Sequence, residues 1–208
     1  MSKLIDLMYE KRMFLILVFA NLFIQLGISY YVMIHTNKSS IGHWYLFGIQ
    51  IMIIILISLV PMPSFMKFIL FSIFSYTFGL SLSHYKEVVD ERAIHIAIKG
   101  TLSLFGLMMG AGIALMMGGA HLGKRFGAFL FWSLLLLIIL QIISIIGNGL
   151  SMMHKVLTFA GIILFSLFIV YDTQQILSRH YHGDFISASM DYYLDIINLF
   201  TRLLGHDN

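Results

Sequence analysis

Two short stretches decide how this chain is read: VYDTQQI (170–176) and YYLDIINLF (192–200). Each places an aspartate, Asp172 or Asp195, where the surrounding residues otherwise read like the interior of a lipid bilayer. The first closes the nearly unbroken apolar run AGIILFSLFIVYD. A carboxylate in hydrocarbon is costly, so an intramembrane aspartate points to function by default.

The composition around these stretches fixes the class of protein. The chain has 208 residues, 59% hydrophobic and 11% charged. A soluble domain would carry roughly a quarter charged residues. The deficit runs along the whole length, so the sequence predicts an all-α integral membrane protein whose partner is the lipid bilayer. The formal charge of +3 comes from scattered Lys and Arg, with no cluster that would grip nucleic acid. With 0 cysteines, disulfides, thiolate metal sites and thiol nucleophiles are excluded.

A span needs about 20 apolar residues, and seven such segments can be drawn, at about 13–34, 44–61, 65–84, 93–118, 127–147, 156–178 and 187–204. They form one transmembrane domain over 1–208, without linker or inverted repeat. The opening MSKLIDLMYEKRM is basic, but the apolar run after it is too long for a signal peptide and is read as an uncleaved first span. PMPS (61–64) reads as a tight turn between the second and third spans, and residues 37–40 and 147–149 carry similar turn chemistry. In the fourth span Gly106, Gly110, Ala114 and Gly118 recur every four residues, the spacing of a close helix-packing seam. With the N-terminus inside, Lys and Arg count seven inside against five outside, Lys99 being intramembrane. That bias predicts a cytoplasmic N-terminus and an outside C-terminus.

At 1.5 Å per residue, Asp172 and Asp195 both lie about 10–13 Å in from the same membrane surface, on antiparallel helices joined by one loop. Each lies on a polar stripe: Asp172, Gln175 and Arg179 on the sixth span, and Asp191, Asp195, Asn198 and Arg202 on the seventh. Such stripes must face one another or a watery cavity. Two nearby carboxylates in a poorly hydrated site cannot both ionise easily, so they tend to share a proton. Ionised, the same oxygens attract a hard cation. Even with Asn198 and Gln175 the set falls short of the roughly six to eight oxygens of a full Ca²⁺ shell, which predicts a weak transit site on Asp172 and Asp195. The plain alternative is that both aspartates only tie helices together.

The paired stretches resemble the C-terminal signature of the transmembrane Bax inhibitor motif (Bax inhibitor and lifeguard) family, in a bacterial-type member. The likeness runs through Asp172, Thr173 and Gln174, then through Tyr193, Leu194, Asp195, Ile196, Ile197, Asn198, Leu199 and Phe200. SYTFGLSL in the third span and an inside N-terminus agree with it. The resemblance implies a seven-transmembrane-helix bundle with the C-terminal helix central. It also implies a pH-sensitive passive calcium leak channel in a bacterial plasma membrane. Asp172 and Asp195 would be the proton sensor and gate, Ca²⁺ and protons the species handled, with no resident cofactor. Asp191, Asn198, Gln175 and Arg202 are candidate neighbours of pore or sensor. The sequence departs from the family in two places. An arginine-rich turn found in some members is VPMPS here, with only Lys67 nearby, and a glutamate of the second span is Gln50.

Other polar residues carry plainer expectations. His95, Lys99 and Ser103 form a stripe read as a lysine snorkelling to the surface. Gln141 and Asn148 are expected to make interhelical hydrogen bonds. His180 and His182 are read as plain surface histidines, with tuning of the sensor near neutral pH as the alternative. Trp44, Tyr45, Tyr85 and Tyr181 read as interfacial aromatics.

Among rival functions, an intramembrane aspartyl protease also pairs aspartates, the first after a tyrosine, as in Tyr171–Asp172. The second site there reads G-x-G-D with a P-A-L motif; here it is YYLD, and no P-A-L occurs. HExxH and GxSxG are also missing, so the protein is not expected to be an enzyme. A non-conducting regulator that binds a membrane protease or another membrane protein is the main alternative. A proton-coupled transporter lacks the expected inverted repeat.

Overall fold

The computed structural model describes residues 6, 8–37, 41–87, 89–146, 151–178, 181 and 183–205. A helix occupies each apolar segment: α1 Arg12–His35, α2 His43–Leu59, α3 Ser64–Ser83, α4 Glu91–Met117, α5 Lys124–Ile146, α6 Ser151–Ser178 and α7 Phe185–Leu204. Five of them, α1 and α3 to α6, are long and apolar enough to cross a membrane, and α2 is apolar but shorter. The protein is thus an all-helical integral membrane protein. α7 differs in kind: it is amphipathic, yet Ile186, Tyr193, Leu199 and Leu204 along it are all nearly inaccessible.

Residues 11–91 and 180–193 form one compact unit. α2 ends at Leu59 because Pro61 and Pro63 cannot continue it, and Pro63 precedes the first residue of α3. α1 and α3 meet at Gly79, where a Cβ would lie 2.7 Å from both the Ser29 carbonyl oxygen and Val32 Cβ. Beside that contact Val32, Leu46 and Leu80 form a small core. Tyr193, from the first half of α7, is ringed by Phe71, Phe74 and Phe78 at 5.1, 5.8 and 6.4 Å between centroids.

Residues 1–10, 92–179 and 194–208 form the second unit. Leu130 and Leu137 of α5 interlock with Leu157 and Leu164 of α6. α4 closes at Gly119, whose φ of +82° suits glycine, with Ala120 N–H donating back to the Leu115 carbonyl at 2.9 Å. The small-residue row of α4 does not pack as expected. Gly106, Gly110, Ala114 and Gly118 are exposed, and a Cβ at Gly106 or Gly110 would meet nothing within 4 Å. The buried stripe is Ile94, Ala97, Thr101, Phe105, Gly112 and Met116. Gly112 makes the close approach, because it lies on that stripe and the four-residue row does not.

Candidate functional site around Asp172 and Asp195

Asp172 is fixed by its neighbours on α6. A Cβ on Gly112 would lie 2.9 Å from the Val170 carbonyl oxygen and 3.0 Å from Thr173 Cβ, so α4 rides directly on α6 there. A Cβ on Gly127 would overlap the Tyr171 hydroxyl, so α5 approaches from another side. Gln174 accepts from Leu122 N–H at 2.8 Å and donates to the Ala120 carbonyl at 3.2 Å; Gln175 donates to the Leu122 carbonyl at 3.1 Å. Residues 170, 171 and 173–175 are therefore all tied to α4, α5 or the turn joining them. Asp172 is half-buried between these anchors. The Gln175 amide nitrogen is directed at that turn.

Asp195 belongs to the same compact unit and is only 4% exposed. Asn198, one turn on, donates to the Leu194 carbonyl of its own helix at 2.7 Å. Arg202, two turns on, packs among α5 and α6. Its Nη1 donates to the Leu157 carbonyl at 3.4 Å, and its Cζ stands 5.2 Å from the Phe165 ring centroid. With its amide oxygen turned toward the guanidinium, Gln141 accepts from Nη1 at 3.0 Å and Nη2 at 3.3 Å. Gln141 thus makes the interhelical bond its sequence position suggested. Asn148, Arg179, His180 and His182 lie outside the described residues.

Asp191 sits in the other unit, where Tyr181 donates to its Oδ2 at 3.0 Å. Lys67, the cation near the proline turn, is held by Asp184, and also donates to the Ser187 hydroxyl at 3.3 Å. Asp184 caps α7: its Oδ1 accepts from Ser187 N–H at 3.0 Å and its Oδ2 from the Ser187 hydroxyl at 2.7 Å. Burial pushes the Asp184 carboxyl upward, but the Lys67 ammonium and the two Ser187 donors outweigh it and hold it below the usual carboxylate value. Gln50 donates to the Ser81 hydroxyl at 3.0 Å. His95, Lys99 and Ser103 are exposed. Among the described residues, no group of three or more His, Asp and Glu converges in a way that could hold a metal ion.

A buried polar ladder escaped the sequence reading. Asn21 donates to the Ser189 hydroxyl at 2.6 Å, and Gln25 to Asn21 at 3.3 Å and Ser72 at 3.2 Å. Ser75 donates to Gln25 at 2.9 Å, and Ser29 shares a 2.5 Å hydrogen bond with the Tyr193 hydroxyl. The signal was present: Asn21, Gln25 and Ser29 recur every four residues in an otherwise apolar helix.

Comparison with known proteins agrees with these motifs. The family described as "Inhibitor of apoptosis-promoting Bax1" matches residues 7–206. Protein LIFEGUARD 1 of Arabidopsis thaliana is 32% identical over 143 residues, covering 66% of this chain and 58% of that protein. An uncharacterized protein of Helicobacter pylori (strain ATCC 700392 / 26695) is 35% identical over 112 residues, covering 54% of this chain and 46% of its own length. The Golgi anti-apoptotic protein of vaccinia virus (strain Lister) is 36% identical over 81 residues, 39% of this chain and 34% of that protein. The matches span at most 58% of these three relatives. The whole-chain match, joined to the Asp-Thr-Gln and Tyr-Leu-Asp stretches on α6 and α7, places the chain in the Bax inhibitor and lifeguard family of membrane proteins.

Proposed function

We propose that this protein is a passive Ca²⁺ leak pathway, not an enzyme, whose throughput is set by a proton shared between Asp172 and Asp195. All seven helices span a bacterial plasma membrane in this reading, with α7 central and the N-terminus cytoplasmic. The observation that carries it is the burial of Asp195 on α7, in the same compact unit as the anchored segment that holds Asp172. A buried carboxylate near a second one stays neutral or shares a proton until the local charge changes. Gly112, Gly127, Gln174 and Gln175 fix the α6 backbone on either side of Asp172. A change of charge at the pair then acts on α7 and leaves α6 in place. Two carboxylates supply too few oxygens to store Ca²⁺ tightly, so the ion passes.

A second reading, a non-conducting regulator that docks on a membrane protease or another membrane protein, is favoured by one observation. The vaccinia relative is named for an anti-apoptotic role, which describes a protective outcome and not conduction. That reading leaves the burial of Asp195 without a use.

The test is Ca²⁺ influx into dye-loaded proteoliposomes between pH 5 and 8. The leak reading expects a flux above that of protein-free liposomes that changes with pH. Flux equal to protein-free liposomes at every pH would transfer the assignment to the regulator.

A further inference from the structure

Asp195, Asn198 and Arg202 lie at i, i+3 and i+7 on α7, so they share one helical face. At 1.5 Å per residue, Arg202 stands about 10 Å beyond Asp195 along the axis. Its guanidinium is drawn well into the unit. It meets the Gln141 amide oxygen, the Leu157 carbonyl and the Phe165 ring, and none of these carries a charge. Its Nε is buried and has no hydrogen-bond partner among the described residues. Gly161 makes the seat possible, since any Cβ there would overlap the guanidinium. A cation is therefore fixed, without a carboxylate against it among these contacts, on the face that bears the buried acid.

A guanidinium remains charged at any physiological pH and forms a permanent positive barrier to cations moving along that face. Repulsion scales with the charge of the passing ion. We infer that Arg202 is a selectivity residue: it slows divalent cations more than monovalent ones on the path past Asp195, and Gln141, Phe165 and Gly161 hold it there. This rests on the leak reading of the same site. With an effective dielectric of about 20 and a separation of about 10 Å, the extra charge of a divalent ion is worth on the order of tenfold in rate.

The experiment compares Ca²⁺ and K⁺ flux through proteoliposomes bearing wild type, Arg202→Met, Arg202→Gln and Arg202→Lys. Either neutral variant is sufficient if the other fails to reconstitute. The expected result is a Ca²⁺-to-K⁺ flux ratio raised on the order of tenfold in the neutral variants and near wild type in Arg202→Lys. An unchanged ratio in a conducting neutral variant overturns the inference and leaves the leak reading standing. An equal rise in Arg202→Lys also overturns it, because packing and not charge would be responsible. No flux through any of the four proteins overturns the inference together with the leak reading.

Discussion

The Arg202 guanidinium lies against the α-carbon of Gly161, so closely that no side chain fits between them. Helix α6 therefore carries glycine where α7 brings its cation. Overpacking of this kind costs about 1–3 kcal/mol. Gly161→Ala should lower thermal stability in detergent by that amount. Arg202→Met should recover most of the loss in the double variant, because the two positions share one contact. Additive losses in the double-variant cycle would show that Gly161 matters for another reason.

Gly112 is another glycine with a defined neighbour. Gly112→Ala would press on the Val170 carbonyl and Thr173, and should destabilise by about 1–3 kcal/mol. Gly106→Ala and Gly110→Ala face open space inside a helix and should leave stability unchanged or raise it by up to about 1 kcal/mol. Thermal unfolding of the three variants separates the buried stripe of α4 from its exposed row.

Lys67 and Asp184 make a brace that holds unchanged between pH 5 and 8. A carboxyl held below its ordinary value stabilises the fold above that value, and the contribution is lost only as pH falls through the folded value. Asp184 is such a group, its ordinary value being 3.8. Lys67→Met should therefore destabilise the protein by a similar amount, about 1–3 kcal/mol, at pH 5 and at pH 8. A penalty present at pH 8 and absent at pH 5 would mean that the brace titrates in the range where the leak is expected to respond.

Gln174 joins α6 to the turn after α4 through Leu122 N–H and the Ala120 carbonyl. Gln174→Ala strips partners from two backbone groups and should cost about 1–3 kcal/mol. Hydrogen exchange should show faster amide exchange at Leu122. Unchanged protection there would indicate that the turn does not depend on Gln174.

Much of this was legible in the sequence. The apolar segments and the proline stop before α3 are local signals. The two aspartate motifs were enough to indicate the family. Gln141 could be recognised as an interhelical residue because it is polar within an apolar helix. What stayed hidden depended on contacts distant in sequence. Lys67 and Asp184 are 117 residues apart, and Asn21 and Ser189 are 168 apart. Helical spacing could propose a glycine seam on α4, but it could not tell which stripe a partner helix would cover. Gly112, alone on its stripe, gave no repeat to notice. α7 reads as the least apolar helix and is nonetheless deeply buried, because its polar atoms find partners such as Asn21 and Ser29 inside the protein.

The measurement that bears most directly on the central claim is the pH profile of Ca²⁺ flux for wild type, Asp172→Asn and Asp195→Asn in one liposome preparation. Asn keeps the shape of Asp and cannot titrate. A wild-type flux that varies between pH 5 and 8, with the variation abolished by either substitution, is the result expected of a shared proton. A full wild-type pH response in both variants would contradict the account and leave Asp172 and Asp195 as ties between helices.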